Sequence, residues 1–277
     1  MPTYKEYIKF CQQICITGVP LYTVEKACEN INNLSKQFII IKHDVEDKPE
    51  KALKISKIEH GFGITSTYYV HSFFLRDPKS VAILKEIISL GHEIGYHYDV
   101  LDSNDGNKNS AIREFEKVLS DFADNGLPIR TVCPHGNPLK KRVGYSSNKD
   151  FFLDPQIRRL FDNIVDVYIT FPDLVDSDYL YITDAKYSYS YREAKTTRTD
   201  ATEKLSPLDG MIDIIKMVQN GKSMIISTHT HRYFSFGCVA LTRIYLYRTA
   251  KCIAKTLYKM RWGKYIIDKF YFIAKKI

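Results

Sequence analysis

Two imidazoles and a carboxylate lie between paired glycines in Gly91-His92-Glu93-Ile94-Gly95-Tyr96-His97-Tyr98. Similar groups close apolar runs elsewhere in the chain. Asp44, Glu46 and Asp47 follow 38–41, His71 follows 64–70, His135 follows 129–133, Asp184 follows 179–183 and His229 follows 223–228. Neutral imidazole is the commonest protein ligand for zinc-like metals. A carboxylate with two imidazoles suits Zn²⁺, Fe²⁺ or Mn²⁺ and leaves room for water and a carbonyl, which is what metal-assisted amide hydrolysis needs.

The elements that must position these groups alternate. Apolar spacing predicts helices over 4–15, 23–35, 49–60, 79–90, 109–123 and 207–219. Short β-rich or apolar runs predict strands over 38–41, 64–70, the stretch up to His97, 129–133, 164–170, 179–183 and 223–228, with a long loop over 137–150. Such alternation implies a mainly parallel sheet, and the handedness of its crossovers puts every strand's C-terminal end on one rim. That rim then holds Asp44, Glu46, His71, His97, His135, Asp184 and His229. His43 is expected to orient Asp44 or close its strand, and His92 to face away from His97 in a regular strand. His71 reads as a satisfied polar residue, His60 as a helix-end residue and His231 as a rim residue.

The 277 residues fit one α/β domain of barrel size, and 44% hydrophobic with 26% charged residues is ordinary for a globular protein. Six cysteines without a C-x-x-C pair fit free thiols rather than a disulfide framework or a structural zinc. The start, Met1-Pro2-Thr3-Tyr4-Lys5-Glu6, lacks the basic and apolar segments of a signal peptide, so a cytoplasmic location is expected. Of the net +8, residues 239–277 supply ten cations against one acid, a net of +9, leaving −1 for the rest. The basic balance therefore belongs to a tail, and no nucleic-acid partner is expected. That tail mixes its cations with Ile244, Leu246, Tyr247, Trp262, Phe270 and Phe272, a cationic amphipathic pattern that suits either peripheral contact with an anionic inner leaflet or a final barrel helix with a solvated basic face.

The combination His43-Asp44-Val45-Glu46, Gly91-His92-Glu93-Ile94-Gly95-Tyr96-His97 and Ser227-Thr228-His229 resembles the polysaccharide deacetylases of carbohydrate esterase family 4, the NodB-homology fold. The resemblance runs from about Phe38 to Tyr233 and is nearest to a branch associated with surface-polysaccharide and O-antigen synthesis. It implies an α/β fold, a deformed (β/α) barrel of about seven parallel strands, with extra helices at both ends. The corresponding segments are 1–36 as an N-terminal helical extension, 37–236 as the barrel and 237–277 as the basic helical segment.

The resemblance also implies roles. Asp44 matches the family's base, Glu46 stands nearest to its metal-binding acid, and His97 matches its first metal histidine. The family's second metal histidine falls at Leu101, so His135 in Cys133-Pro134-His135-Gly136 is expected to supply that nitrogen. His229 matches the catalytic acid. His43, Arg130, Asp184 and His231 are expected to bind substrate or orient these groups. One divalent ion is implied, Zn²⁺ first and Fe²⁺, Mn²⁺ or Co²⁺ as alternatives. The implied reaction is N-deacetylation of an acetamido sugar or lipid-linked oligosaccharide. Two rivals share these residues: a catalytically inactive glycan-binding or scaffold protein on the same fold, and hydrolysis of another C–N or ester bond.

Overall fold

The computed structural model describes residues 3–137, 140–184, 188–194 and 205–239, with positions 241, 242, 245 and 249 beyond them. The basic tail otherwise lies outside the described residues, as does Tyr187. Helix α1 (Tyr4–Ile16) opens on a capping box. The Thr3 hydroxyl accepts the Glu6 N–H while the Glu6 carboxylate accepts the Thr3 N–H at 2.6 Å. Strand β1 (Leu21–Tyr22), helix α2 (Val24–Glu29), strand β2 (Ile39–Val45), helix α3 (Pro49–Gly61) and strand β3 (Thr67–Val70) follow. Next come α4 (Pro78–Ser89), β4 (Glu93–Tyr98), α5 (Val100–Ser103), α6 (Lys108–Asp124), β5 (Thr131–Pro134), α7 (Asp150–Leu153) and α8 (Pro155–Leu160). The chain continues through β6 (Val165–Asp166), α9 (Phe171–Leu174), β7 (Leu180–Thr183), β8 (Ser190–Glu193), β9 (Ser206–Pro207), α10 (Met211–Gln219) and β10 (Met224–His229).

Strands β6, β5, β4, β3, β2, β10 and β7 lie side by side in that order and run parallel, and β8 and β9 extend the sheet antiparallel. The fold is thus α/β with a mostly parallel sheet. One face of the strands (Ile39, Ile41, Tyr68, Val70, Ile94, Tyr96, Val132, Ile226) packs with the helices. The other (Phe38, Ile40, Tyr69, Cys133, Tyr179, Tyr181, Ile225) encloses an interior with Val24 and Ala27 of α2. Along the path from β6 to β9 the two ends are not hydrogen-bonded strand to strand among the described residues. The Tyr168 and Tyr181 hydroxyls hydrogen-bond to one another between β6 and β7. No helix among the described residues is long and apolar enough to cross a membrane.

Several boundaries differ from the sequence expectation for local reasons. The helix expected over 23–35 ends at Glu29 and gives way to a 3₁₀ turn at Ile31–Asn33, where asparagines compete for backbone bonds. The strand expected over 38–41 runs on to Val45, because β3 and β10 pair with it through Lys42, His43 and Asp44. The strand expected over 164–170 stops at Asp166, whose carboxylate accepts the N–H groups of Tyr168 and Ile169 at 2.8 Å each and turns the chain. The N-terminal segment is part of the same body: β1 pairs with β2, and Phe10, Cys11 and Ile14 of α1 lie in the core.

Two residues of the glycine-flanked stretch serve this architecture. Glu93 lies at the opposite end of β4 from His97, buried below α2. Its carboxylate accepts the Thr67 hydroxyl at 2.7 Å, the Thr131 hydroxyl and the Glu25 N–H at 3.0 Å, the last in the first turn of α2. Gly95 is glycine because the Tyr69 ring crosses it to bond the Thr131 hydroxyl at 3.1 Å. A Cβ there would lie 2.5 Å from the Tyr69 ring and 2.8 Å from the Thr131 carbonyl oxygen. Gly95→Ala is therefore expected to destabilise the protein by about 1–3 kcal/mol, the usual cost of overpacking, read as a lower urea midpoint. An unchanged midpoint would contradict the assigned crossing of Tyr69.

Candidate metal centre

Parallel pairing sets the polar residues at one level of the rim. His229 of β10 stands beside Asp44 of β2, Asp44 beside Tyr69 of β3, and His97 of β4 beside Cys133 of β5. Strand alternation then turns Lys42, Asp44, Tyr69, His97 and Cys133 to the interior. His71 follows Tyr69 by two residues, His135 follows Cys133 by two and Glu46 follows Asp44 by two, so each continues the inward row past its strand's end.

Glu46 is the meeting point. Its Oε2 lies 3.4 Å from His135 Nε2 and 3.5 Å from His71 Nε2, and its Oε1 lies 3.7 Å from His97 Nε2 and 3.9 Å from His229 Nε2. Burial acts to raise its pKa, but the imidazoles of His135, His71 and His97 outweigh that and hold it well below the usual carboxylate range. His97 is 2% exposed and sets its Nδ1 3.0 Å from the Cys133 carbonyl oxygen. A carbonyl only accepts, so Nδ1 carries the proton and Nε2 presents its lone pair toward Glu46. Burial also lowers the His97 pKa, which favours the neutral, ligating form.

The spacing fits ligands better than hydrogen-bonded pairs. Elsewhere in this chain imidazole and carboxylate meet at 2.6 Å (His229 with Asp184) and 2.8 Å (His43 with Glu59), while His92 stands 3.7 Å from Glu59 with both ring nitrogens committed to the backbone of Ser66 and Ser56. Around Glu46 they stop at 3.4–3.7 Å for His135, His71 and His97. Two donors about 2.0–2.1 Å from one ion are separated by roughly 3.0–3.4 Å, so His135 stands at that spacing from Glu46 and His71 and His97 slightly outside it, and imidazoles with a carboxylate are a donor set that fits a divalent ion.

Two further groups flank the cluster. His229 Nδ1 lies 2.6 Å from Asp184 Oδ1 and its backbone N–H reaches Asp184 Oδ2 at 3.1 Å. The carboxylate therefore holds the proton on Nδ1 and turns Nε2 toward Glu46. Burial would raise the Asp184 pKa, yet His229 and Arg232 lower it below the usual range. Asp44 accepts a 2.7 Å bond from Lys42 Nζ, with Cys133 Sγ 3.9 Å from the same oxygen. Against its burial, the Lys42 ammonium, then His97 and His229, hold Asp44 well below the usual carboxylate range. Asp44 likewise keeps the wholly buried Lys42 charged.

Some sequence expectations require correction. His43 neither orients Asp44 nor enters the site. Adjacent strand residues face opposite sides, and its ring lies at 0% exposure between Thr228 Oγ1 at 2.7 Å and Glu59 Oε1 at 2.8 Å. Arg130 is exposed and immediately precedes β5, five residues before His135, which at about 3.3 Å per strand residue is the other rim. His92 joins the network behind the sheet, accepting the Ser66 N–H at 3.1 Å and facing the Ser56 carbonyl at 3.0 Å. Leu101 is 1% exposed in the core, on α5, where the chain has already left the rim. His231 lies beside His229, ring centroids 5.6 Å apart, and burial, then His229 and Arg232, lowers its pKa to about 4. His71, read as a satisfied polar residue, lies in the Glu46 cluster. Lys42 was not anticipated, since a lysine beside an apolar run reads as the strand leaving the core.

No family model matches this sequence, and no curated protein matches it. Solved structures do align with it. A CE4 esterase from Streptococcus mutans is 15% identical, with 76% of this chain and 92% of that one covered at a TM-score of 0.42. A family 4 carbohydrate esterase from Streptomyces lividans is 10% identical, with 78% and 89% covered at a TM-score of 0.42. A CE4 family pseudoenzyme from Bacillus anthracis is 12% identical, with 78% and 62% covered at a TM-score of 0.42.

Proposed function

We propose that this protein is a metal-dependent hydrolase that removes the acetyl group from an acetamido sugar used in building a surface polysaccharide. The observation that carries the reading is the Glu46 cluster, where imidazoles from separate strand ends face one carboxylate at ligand spacing rather than at hydrogen-bond distance. The sequence resemblance at Asp44, the Gly91–His97 stretch and His229 supports the choice of substrate class.

Glu46, His97 and His135 would hold a divalent ion, which when bound would polarise a carbonyl and lower the pKa of a water toward about 7. Asp44 stands beside that position, its Oδ1 fixed by Lys42, and its other oxygen accepts the proton of the attacking water. His229, with Nδ1–H committed to Asp184, carries its transferable proton on Nε2 and delivers it to the departing sugar amine. Phe73, 44% exposed and stacked on His71 at 5.3 Å, offers an aromatic face at the rim for a pyranose ring.

The purified full-length chain is expected to carry one tightly bound divalent ion and to release acetate from N-acetylated oligosaccharides. An ion-free chain that still binds such glycans supports the non-catalytic reading. An ion-loaded chain that cleaves esters but no amide moves the reaction to the ester class.

The basic stretch 239–277 supports placing the substrate at a membrane surface, each cation near an anionic leaflet contributing about 1 kcal/mol. The chain leaves the sheet after His229, bridges Thr3 at Phe234, whose carbonyl accepts the Tyr4 N–H, and then exposes Phe236, Val239, Leu241 and Tyr245. The full chain is expected to float with anionic liposomes and a chain ending near Ala240 to stay behind. Equal flotation of the two would end the idea.

A further inference from the structure

His71 closes β3 and is 7% exposed, with its ring centroid 4.9 Å from that of His97 and 4.8 Å from that of His135. Phe73 stacks on it at 5.3 Å and 17°, which fixes the ring plane. One ligand atom from each of Glu46, His71, His97 and His135 can be chosen so that all lie within 4.8 Å of one another. His71 Nε2 lies 3.5 Å from Glu46, between the 3.4 Å of His135 and the 3.7 Å of His97, not at the 2.8 Å that the structural His43 keeps from Glu59. His229 differs because Asp184 already occupies its Nδ1, and its Nε2 stands off at 3.9 Å.

We propose that His71 is a third imidazole ligand, making a site of three histidines and one glutamate. The inference rests on the metal-dependent reading above and extends it to the class of ion. Four protein ligands close the tetrahedral shell that Zn²⁺ prefers and leave it no position for substrate, whereas catalytic zinc sites keep three protein ligands. An ion that takes six ligands, such as Fe²⁺, Mn²⁺ or Co²⁺, keeps two positions open with the same four residues. The resident ion is therefore of the six-coordinate class.

The test is a Co²⁺ titration of the metal-free full-length chain, followed by visible absorption. The expected result is one Co²⁺ per chain with the weak bands of a five- or six-coordinate ion. His71→Ala is expected to lower Co²⁺ affinity by at least the roughly 10–100-fold typical of losing a group that supports a metal site, and to change the spectrum. His71→Asp, which restores a donor atom, is expected to recover part of that affinity, a rescue that a purely structural imidazole would not show. Unchanged affinity and spectrum in His71→Ala would overturn the ligand assignment while leaving a metal site in place. An intense tetrahedral spectrum in the unmodified chain would overturn the coordination class. Failure of the unmodified chain to bind Co²⁺ or Zn²⁺ would overturn the metal reading itself, and this inference with it.

Discussion

On the proposed deacetylase reading, Asp44→Asn is expected to lower the deacetylation rate by about 10²–10⁴-fold and to leave metal binding intact, the loss typical of removing one acid–base group. Asparagine keeps the shape and an oxygen for Lys42 but has no basic oxygen for the proton of water. The effect should fall on kcat, because Lys42 holds Asp44 at 2.7 Å in the row beside the Glu46 cluster and not in the cluster itself. Metal content measured on the same sample separates this from damage at Glu46. Retained ion with undiminished turnover would remove Asp44 from the mechanism. A loss of both would make it a ligand, a role that its closeness to His97 and Cys133 also permits.

Lys42→Met is expected to cost about 3–5 kcal/mol of unfolding free energy, since it leaves Asp44 as a buried charge without its partner. The lysine side chain is 0% exposed and the aspartate side chain 9%, so solvent screens the pair little. The pH window follows from the two shifts. Asp44 is depressed, so its contribution is present above the unfolded carboxylate pKa of about 3.9 and is lost as pH falls toward the folded value. Lys42 is raised, so its contribution is present below the unfolded pKa of about 10.4 and is lost as pH rises toward the folded value. The difference between the two proteins in urea should thus be widest between about pH 5 and 9 and should narrow on acidification. The double variant Lys42→Met with Asp44→Asn should lose less than the two single losses added together, as expected of residues in contact. A single-variant cost under about 1 kcal/mol would mean that the pair is not desolvated as its burial requires.

Strand ends were readable because a four-residue apolar run followed by acids, or a β-rich run followed by histidine, leaves few alternatives to a buried strand that stops at a rim. That logic located Asp44, Glu46, His97, His135 and His229 correctly on the C-terminal rim, and it also set Asp184 where it meets His229. The resemblance, not that logic, put Arg130 with the site, although the length of β5 separates it from His135. The strand-end logic kept His43 with Asp44, although alternation alone turns neighbours apart.

By itself, then, the sequence determined the order of the main strands and helices, the mainly parallel sense of the sheet and the polar residues at strand ends, because these follow from local periodicity and from the handedness of crossovers, but not the short strands β1, β8 and β9, the last two antiparallel. Only the tertiary structure decided which of those residues meet. Glu46, His71, His97 and His135 come together because the four strands they follow or end, β2 to β5, lie side by side in the sheet, while Leu101 lies on α5 beyond the rim. Lys42 becomes the partner of Asp44 only once the sheet folds its inner face away from water. Gly95 is required only because Tyr69 from the next strand lies across it. Each of these depends on which strands lie side by side and how far their ends extend, and neither is encoded within any one segment.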